Sequence, residues 1–257
     1  MKKTLLAFTG FAVVAALPMF IDIPSAHSCF PAYSGKTVWK VYQRYTARDS
    51  YQKEEVYSVN PARFGSSVVQ IDEAAVGGNE KTLVKVAVTD KEGLMIATSD
   101  ASVLKFIGKE GTSNGLSTFA FEVVDSGEAE IFTNQSQDVQ VVKINKVVSG
   151  QKISDLDIPS ASTGGHSSTE VHIYVEAGLK ARIKKGSVNN QVLKGQRKFQ
   201  VTDAKDTWDV FPFEVIGQGT SNVQLEMVGT SYSPKEVISV KKFIVYPTPR
   251  SLAGGTC

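Results

Sequence analysis

Catalytic machinery is what this sequence most clearly lacks. It contains no His-Glu-x-x-His, no Cys-x-x-Cys and no Gly-x-Ser-x-Gly, so zinc hydrolysis and elbow-type serine chemistry are missing their minimal residues. Histidine occurs three times: His27 in the leader described below, His166 in "TGGHSS", expected in solvent, and His172, which alternates with Val171 and Ile173 on a strand. "GKEGTSNG" does not have the spacing of a phosphate loop and reads as a turn. Charge of one sign is also scarce. Lys and Arg total 28 against 26 Asp and Glu, and the resulting +2 excludes the basic stripe on which nucleic-acid binding depends. No enzyme, cofactor, metal or nucleic-acid role is expected.

Long apolar runs are absent except at the start. Lys2 and Lys3 precede "TLLAFTGFAVVAALPMF", and Ala26-His27-Ser28 places small residues where a signal peptidase cuts. Residues 1–28 therefore read as a signal peptide, and the mature chain is expected without a stable membrane span. Its place would be the periplasm, the cell surface or the extracellular space. Only two cysteines occur, Cys29 and Cys257, at the two ends of that mature chain. In an oxidising compartment a terminal disulfide leads, and closing so long a loop would contribute roughly 5 kcal/mol at most on the chain-entropy model. A lipidated Cys29 and free or intermolecular thiols stay open beside it.

What the sequence does contain is β-structure, written twice. From Thr82, Val84, Val86 and Val88 alternate with Lys85, Ala87 and Thr89, the two-residue period of a strand with one buried face. "SVLKFI", "STFAFEVV", "EAEIFT" and "DVQVVKINKVV" follow, separated by Gly, Asp, Asn and Ser turns. The order then recurs 87 to 92 positions later. Thr169, Val171, Ile173 and Val175 repeat the first strand, and Gly178-Leu179 repeats Gly93-Leu94. "FPFEVIGQG" from Phe211 repeats "FAFEVVDSG" from Phe119. Phe119, Phe121 and Val123, like Phe211, Phe213 and Val215, share one strand face and are assigned to cores. Gly127 and Gly219 close each phrase with a turn that tolerates positive φ.

The fold expected is all-β: two tandem immunoglobulin-like β-sandwiches preceded by an aromatic-rich N-terminal segment. Residues 29–148 hold that segment and the first sandwich, 149–168 a linker, 169–250 the second sandwich and 251–257 a tail. The linker carries an apolar patch at Ile153, Leu156 and Ile158. The N-terminal segment, with Trp39, Tyr42, Tyr45, Tyr51 and Tyr57, is too short for a core of its own and is expected to pack on the first sandwich. Carboxylate pairs at Glu54/Glu55, Asp72/Glu73, Asp155/Asp157 and Asp203/Asp206 lack the ligand spacing of a calcium loop.

The run "GKEGTSNGLSTFAFEVVDSGEAEI" and its later counterpart "FPFEVIGQGTSNVQLEMVGTSYSPKEVISVKKFIVYP" resemble chagasin-type and bacterial immunoglobulin-like domains. The resemblance implies a sandwich, and for the chagasin type it implies inhibition of papain-like cysteine peptidases through three loops. The first-loop Asn-Pro-Thr-Thr-Gly and third-loop Arg-Pro-aromatic motifs of that family are not matched. "NPARFG" precedes the repeat, and "SYSPKE" stands in the third loop's place with Tyr232 and Pro234. The function expected is an exported, non-enzymatic binding or structural protein that recognises a protein partner through sandwich-end loops. The loop residues are Lys109, Thr112 and Asn114 in the first repeat and Tyr232, Pro234 and Lys235 in the second. The alternatives are a chagasin-type inhibitor and a subunit of a surface filament or secretion assembly.

Overall fold

The structure of the chain, a computed structural model, describes residues 33–44, 48–203 and 206–247. The leader and both cysteines fall outside them, so the export signal and the Cys29–Cys257 pairing lie outside the described residues.

Two strands open the fold: β1 (Tyr33–Gln43) and β2 (Arg48–Val59), an antiparallel hairpin. The first sandwich follows with β3 (Val69–Ile71), β4 (Ala74–Val76), β5 (Glu80–Thr89), β6 (Ile96–Thr98), β7 (Leu104–Ser113), β8 (Leu116–Val123), β9 (Gly127–Thr133), β10 (Val139–Ile144) and β11 (Val147–Ser149). The second holds β12 (Leu156–Ile158), β13 (Ala161–Gly164), β14 (Ser167–Glu176), β15 (Arg182–Ile183), β16 (Leu193–Gly195), β17 (Phe199–Thr202), β18 (Thr207–Val215), β19 (Gly219–Glu226), β20 (Lys235–Val240) and β21 (Phe243–Tyr246). The architecture is all-β with stacked sheets, as the two-residue periodicity predicts.

The pairings of the first sandwich recur in the second. β3 lies parallel to β10 as β12 does to β20, and β4 lies parallel to β11 as β13 does to β21. The β5–β8 pairing matches β14–β18, and β9–β10 matches β19–β20. Fine detail repeats too. Thr82 Oγ1 accepts from the Ala75 amide at 2.9 Å, and Thr169 Oγ1 accepts from the Ser162 amide at 3.0 Å. Gly127 and Gly219 have φ of 142° and 127°. A Cβ at either would stand 3.0 Å from Val103 Cγ2 or 3.3 Å from Val192 Cγ2. Phe121 and Phe213 occupy matching places in the two cores, both essentially excluded from solvent. The phrase written twice is one strand and one glycine corner used twice.

The hairpin departs from expectation. β2 runs parallel to β5, which joins it to the first sandwich, but β1 runs parallel to β14 and belongs to the second. One nine-stranded sheet therefore crosses the whole molecule in the order β16-β18-β14-β1-β2-β5-β8-β7, with β17 also on β18. Gly35 stands to Ser167 as Lys53 stands to Glu80, so the halves are related by a quasi-two-fold axis through the Thr37–Glu55 pair. The hairpin aromatics divide accordingly. Trp39 and Tyr51 pack in the second core, while Tyr33 and Tyr57 pack against the first. A segment too short for its own core gains one by serving two.

The stretch read as a linker is also more ordered than its Ser/Gly content suggests. Leu156 and Ile158 lie in β12, both are buried in the second core, and Ile153 packs against that core. Three-residue strands offer too little alternation to stand out among turn formers.

Candidate functional site

Because β2 is antiparallel to β1, β5 and β14 run in opposite directions. The loop ends named from the sequence consequently point away from each other. Lys109 and Thr112 lie within β7 rather than on a loop, a correction to the turn read there. That strand stays paired to β8 as far as Ser113–Leu116 by absorbing register shifts between Phe106 and Gly108 and between Lys109 and Gly111. Lys109 Nζ is 3.2 Å from Asp90, and Thr112 Oγ1 is 3.1 Å from Ser117 Oγ. Asn114 forms the tip at φ 52°, followed by Gly115 at 74°, a pairing suited to a tight hairpin turn. In the second sandwich Tyr232 is half-buried, packs against the core and shares a 3.3 Å hydrogen bond with Gln43. The Pro234 carbonyl accepts from the Leu225 amide, and exposed Lys235 opens β20. The structure brings neither set to the other.

A different region is enclosed by both sandwiches. The core-facing side of the hairpin carries Gly35, Thr37, Trp39, Lys53, Glu55 and Tyr57, and where the two sandwiches separate this side becomes the floor of a groove. One lobe, of about 660 Å³, lies over Trp39, Lys53 and Glu55 and is walled by Val148, Ser149 and Gln151 on one side and Asp155 and Asp157 on the other. Its quasi-symmetric lobe, about 340 Å³, lies over Gly35 and Tyr57 and is walled by Ser162, His166 and Ser167. Glu55, on the axis, lines both. His166 is thus half-buried at a wall, and its carbonyl accepts from the Gly35 amide at 2.8 Å, where solvent had been expected.

The larger lobe is lined by three lysines and five carboxylates, several of them in ion pairs. Lys53 lies 3.1 Å from Glu55 and 3.4 Å from Glu80, and Lys146 lies 2.8 Å from Glu73. Lys53 also caps the Trp39 ring at 5.6 Å. The indole is 6% exposed, and its Nε1 has no hydrogen-bond partner among the described residues. A buried N–H without an acceptor costs of order 1–3 kcal/mol, so this donor stands out. In the smaller lobe, burial and then Glu55 push the Tyr57 phenol up to about 12 and keep it a hydrogen-bond donor.

The opposite face of the long sheet carries packed side chains. Tyr42 stacks on Tyr174 at 4.5 Å and meets Trp208 edge-on at 5.3 Å. Glu54 is clamped by Lys40 at 2.6 Å and Lys81 at 3.0 Å, which together overcome burial and hold its carboxyl below the usual range. Glu54 and Glu55, neighbours in sequence, therefore act on opposite faces. His172 joins Glu170 at 2.7 Å on this face. Asp203 and Asp206 fasten the turn before β18: Asp203 accepts from the Asp206 amide and the Trp208 indole, and Asp206 pairs with Arg44. Among the described residues no three His, Cys, Asp or Glu converge as metal ligands, and no helix is long and apolar enough to cross a membrane.

No protein-family model and no curated protein matches the chain. Solved structures do. Domains 4–9 of the surface-layer protein SbsC match at 15% identity and TM-score 0.27, over 67% of this chain and 30% of that one. Domains 5–6 of the same protein match at 14% identity and TM-score 0.27, over 67% of this chain and 93% of that one. The cysteine protease inhibitor EhICP2 from Entamoeba histolytica matches at 7% identity and TM-score 0.23, over 33% and 88%. This chain spans less than a third of the six-domain surface-layer structure.

Sequence reasoning missed the groove. Its residues are scattered from Tyr33 to Ser168 and carry no motif. The available signal was the density of Tyr and Trp in a segment too short to fold alone.

Proposed function

We propose that this chain is an exported, non-enzymatic binding protein built from two immunoglobulin-like sandwiches, and that its ligand sits in the groove between them. The observation that carries the reading is the groove itself. Both sandwiches and the shared hairpin contribute to it, and its floor holds a buried donor, Trp39 Nε1, without an acceptor among the described residues. A site fixed by main-chain pairing on both sides is preorganised, which reduces the ordering cost of binding. The sandwich-end residues Lys109, Thr112, Asn114 and Lys235 are a separate candidate surface. A peptidase-inhibitor reading draws no support from the 231–236 loop, because Tyr232 turns inward.

The test applies purified full chain to a glycan array and to an array of synthetic peptides. Exposed Ser154, at the groove wall, is changed to Trp to fill the groove, and Lys109→Glu with Lys235→Glu recharges the sandwich ends. The groove reading expects retention on one array, at least tenfold weaker for Ser154→Trp. Loss on the charge-reversed variant alone returns the site to the loops, and retention on neither array overturns the reading.

A further inference from the structure

The groove wall contains more than side chains. Among the described residues β11 pairs with β4 alone, in a two-stranded ribbon. In the parallel register Val147–Ala74, Val148–Ala75 and Ser149–Val76, the flanking bonds fix which groups face β4. Ala74 donates to the Lys146 carbonyl, and Gly150 donates to the Val76 carbonyl. Alternation then directs Val148 toward β4 and directs the N–H and C=O of Val147 and Ser149 away from it. No hydrogen bond to those outward groups exists among the described residues. Val148 and Ser149 line the larger lobe together with Trp39, whose buried Nε1 has no hydrogen-bond partner among the described residues.

Resting on the groove reading, we infer that the ligand is an extended polypeptide segment that adds as a strand to the free edge of β11. One of its carbonyls then accepts from Trp39 Nε1. Three features select a polypeptide. An open strand edge presents donors and acceptors in alternation at the spacing of another strand, so a backbone satisfies it in register. The indole N–H is a donor only and requires an acceptor such as a carbonyl. Lys53 pairs with Glu55 and Glu80 and Lys146 pairs with Glu73, and the remaining charges of the lobe, Lys152, Asp155 and Asp157, leave carboxylates in excess, so the groove offers little to a strongly anionic ligand. Strand addition is less suited to another sheet edge, β7, which is interrupted by two register shifts and carries Lys105 and Lys109.

The experiment uses the full chain and a positional-scanning library of acetylated, amidated decapeptides, with the glycan array as the competing arm. The best peptide is titrated by calorimetry, and amide hydrogen exchange is followed with and without it. The expected result is binding with new protection at the Val147 and Ser149 amides. An N-methylated backbone in the peptide should weaken binding at least tenfold. Ser149→Pro, which removes an outward N–H and leaves the β4 pairing in place, should do the same, Ser149→Ala should not, and Trp39→Phe should weaken binding about fivefold. Should Ser149→Pro fail to fold, the exchange and N-methyl readouts on the unaltered chain decide. Glycan binding that Ser154→Trp abolishes would leave the groove reading intact and overturn the polypeptide. Peptide binding without protection at Val147 and Ser149, or no binding decapeptide at all, overturns it as well.

Discussion

Replacing Thr82 with valine keeps the side-chain shape and removes one oxygen, the acceptor that satisfies the Ala75 amide at 2.9 Å. Thr82 is completely buried, so no water can replace that oxygen. Leaving such an N–H unpaired costs of order 1–3 kcal/mol, and the upper half of that range applies here. Thr169 makes the same bond to Ser162 at 3.0 Å, but Ser162 is half-buried, so Thr169→Val should cost nearer 1 kcal/mol. Each kcal/mol lowers Tm by roughly 2–4 °C in a chain of this size. The two sites lie in different sandwiches with no shared partner, so the double variant should show the sum of the single costs. Serine at either position keeps the oxygen and should recover most of the loss. Urea unfolding measures the cost, and exchange of the Ala75 and Ser162 amides locates it. Two findings would refute the reasoning: valine tolerated within a few tenths of a kcal/mol at Thr82, or serine as damaging as valine.

The glycine corners give a second paired test. Gly127→Ala should cost about 2–3 kcal/mol and Gly219→Ala about 1–2, because both hold positive φ and the Val103 contact is the tighter; Val103→Ala should relieve only part of the first loss in thermal unfolding. On the outer sheet face, burial raises the Glu170 carboxyl, but hydrogen bonds from His172 and Lys36 outweigh it and bring its pKa to about 2. Because the folded value lies below the unfolded one, the stabilisation is complete above about pH 4.5 and is lost as pH falls toward 2. The full shift corresponds to about 3 kcal/mol, and about half of that remains once exposed Lys36 is discounted. Glu170→Gln should flatten the acid limb of a stability–pH curve over that window, and an unchanged limb would count against the assignment.

The legible part of the fold follows the length of its alternating runs. β5, β8, β14 and β18 each bury three or more residues on one face, and period two announces them. β12 and β4 span three residues each and turn a corner between sheets, so no periodicity can develop. β7 hides differently: Gly108 and Gly111 accompany its register shifts, and a glycine-rich polar run otherwise signals a turn. The hairpin's role was beyond local reading, because β1 finds its parallel partner about 130 residues away and only the assembled sheet shows the division of its aromatics. The groove shares that limit. Trp39 and Ser149 become neighbours in one lobe only after both sandwiches have formed.

Tandem β-domains strung on a flexible connector swing freely, and any cleft between them opens and shuts with that motion. Here a single ladder of main-chain bonds runs from β18 through β14, β1, β2 and β5 to β8, so bending at the boundary would shear backbone pairs instead of rotating about a loose joint. The hairpin works as a rivet. Whatever occupies the cleft meets walls at a set separation, and selection among occupants would rest on width and reach, with no closing movement to adjust the fit.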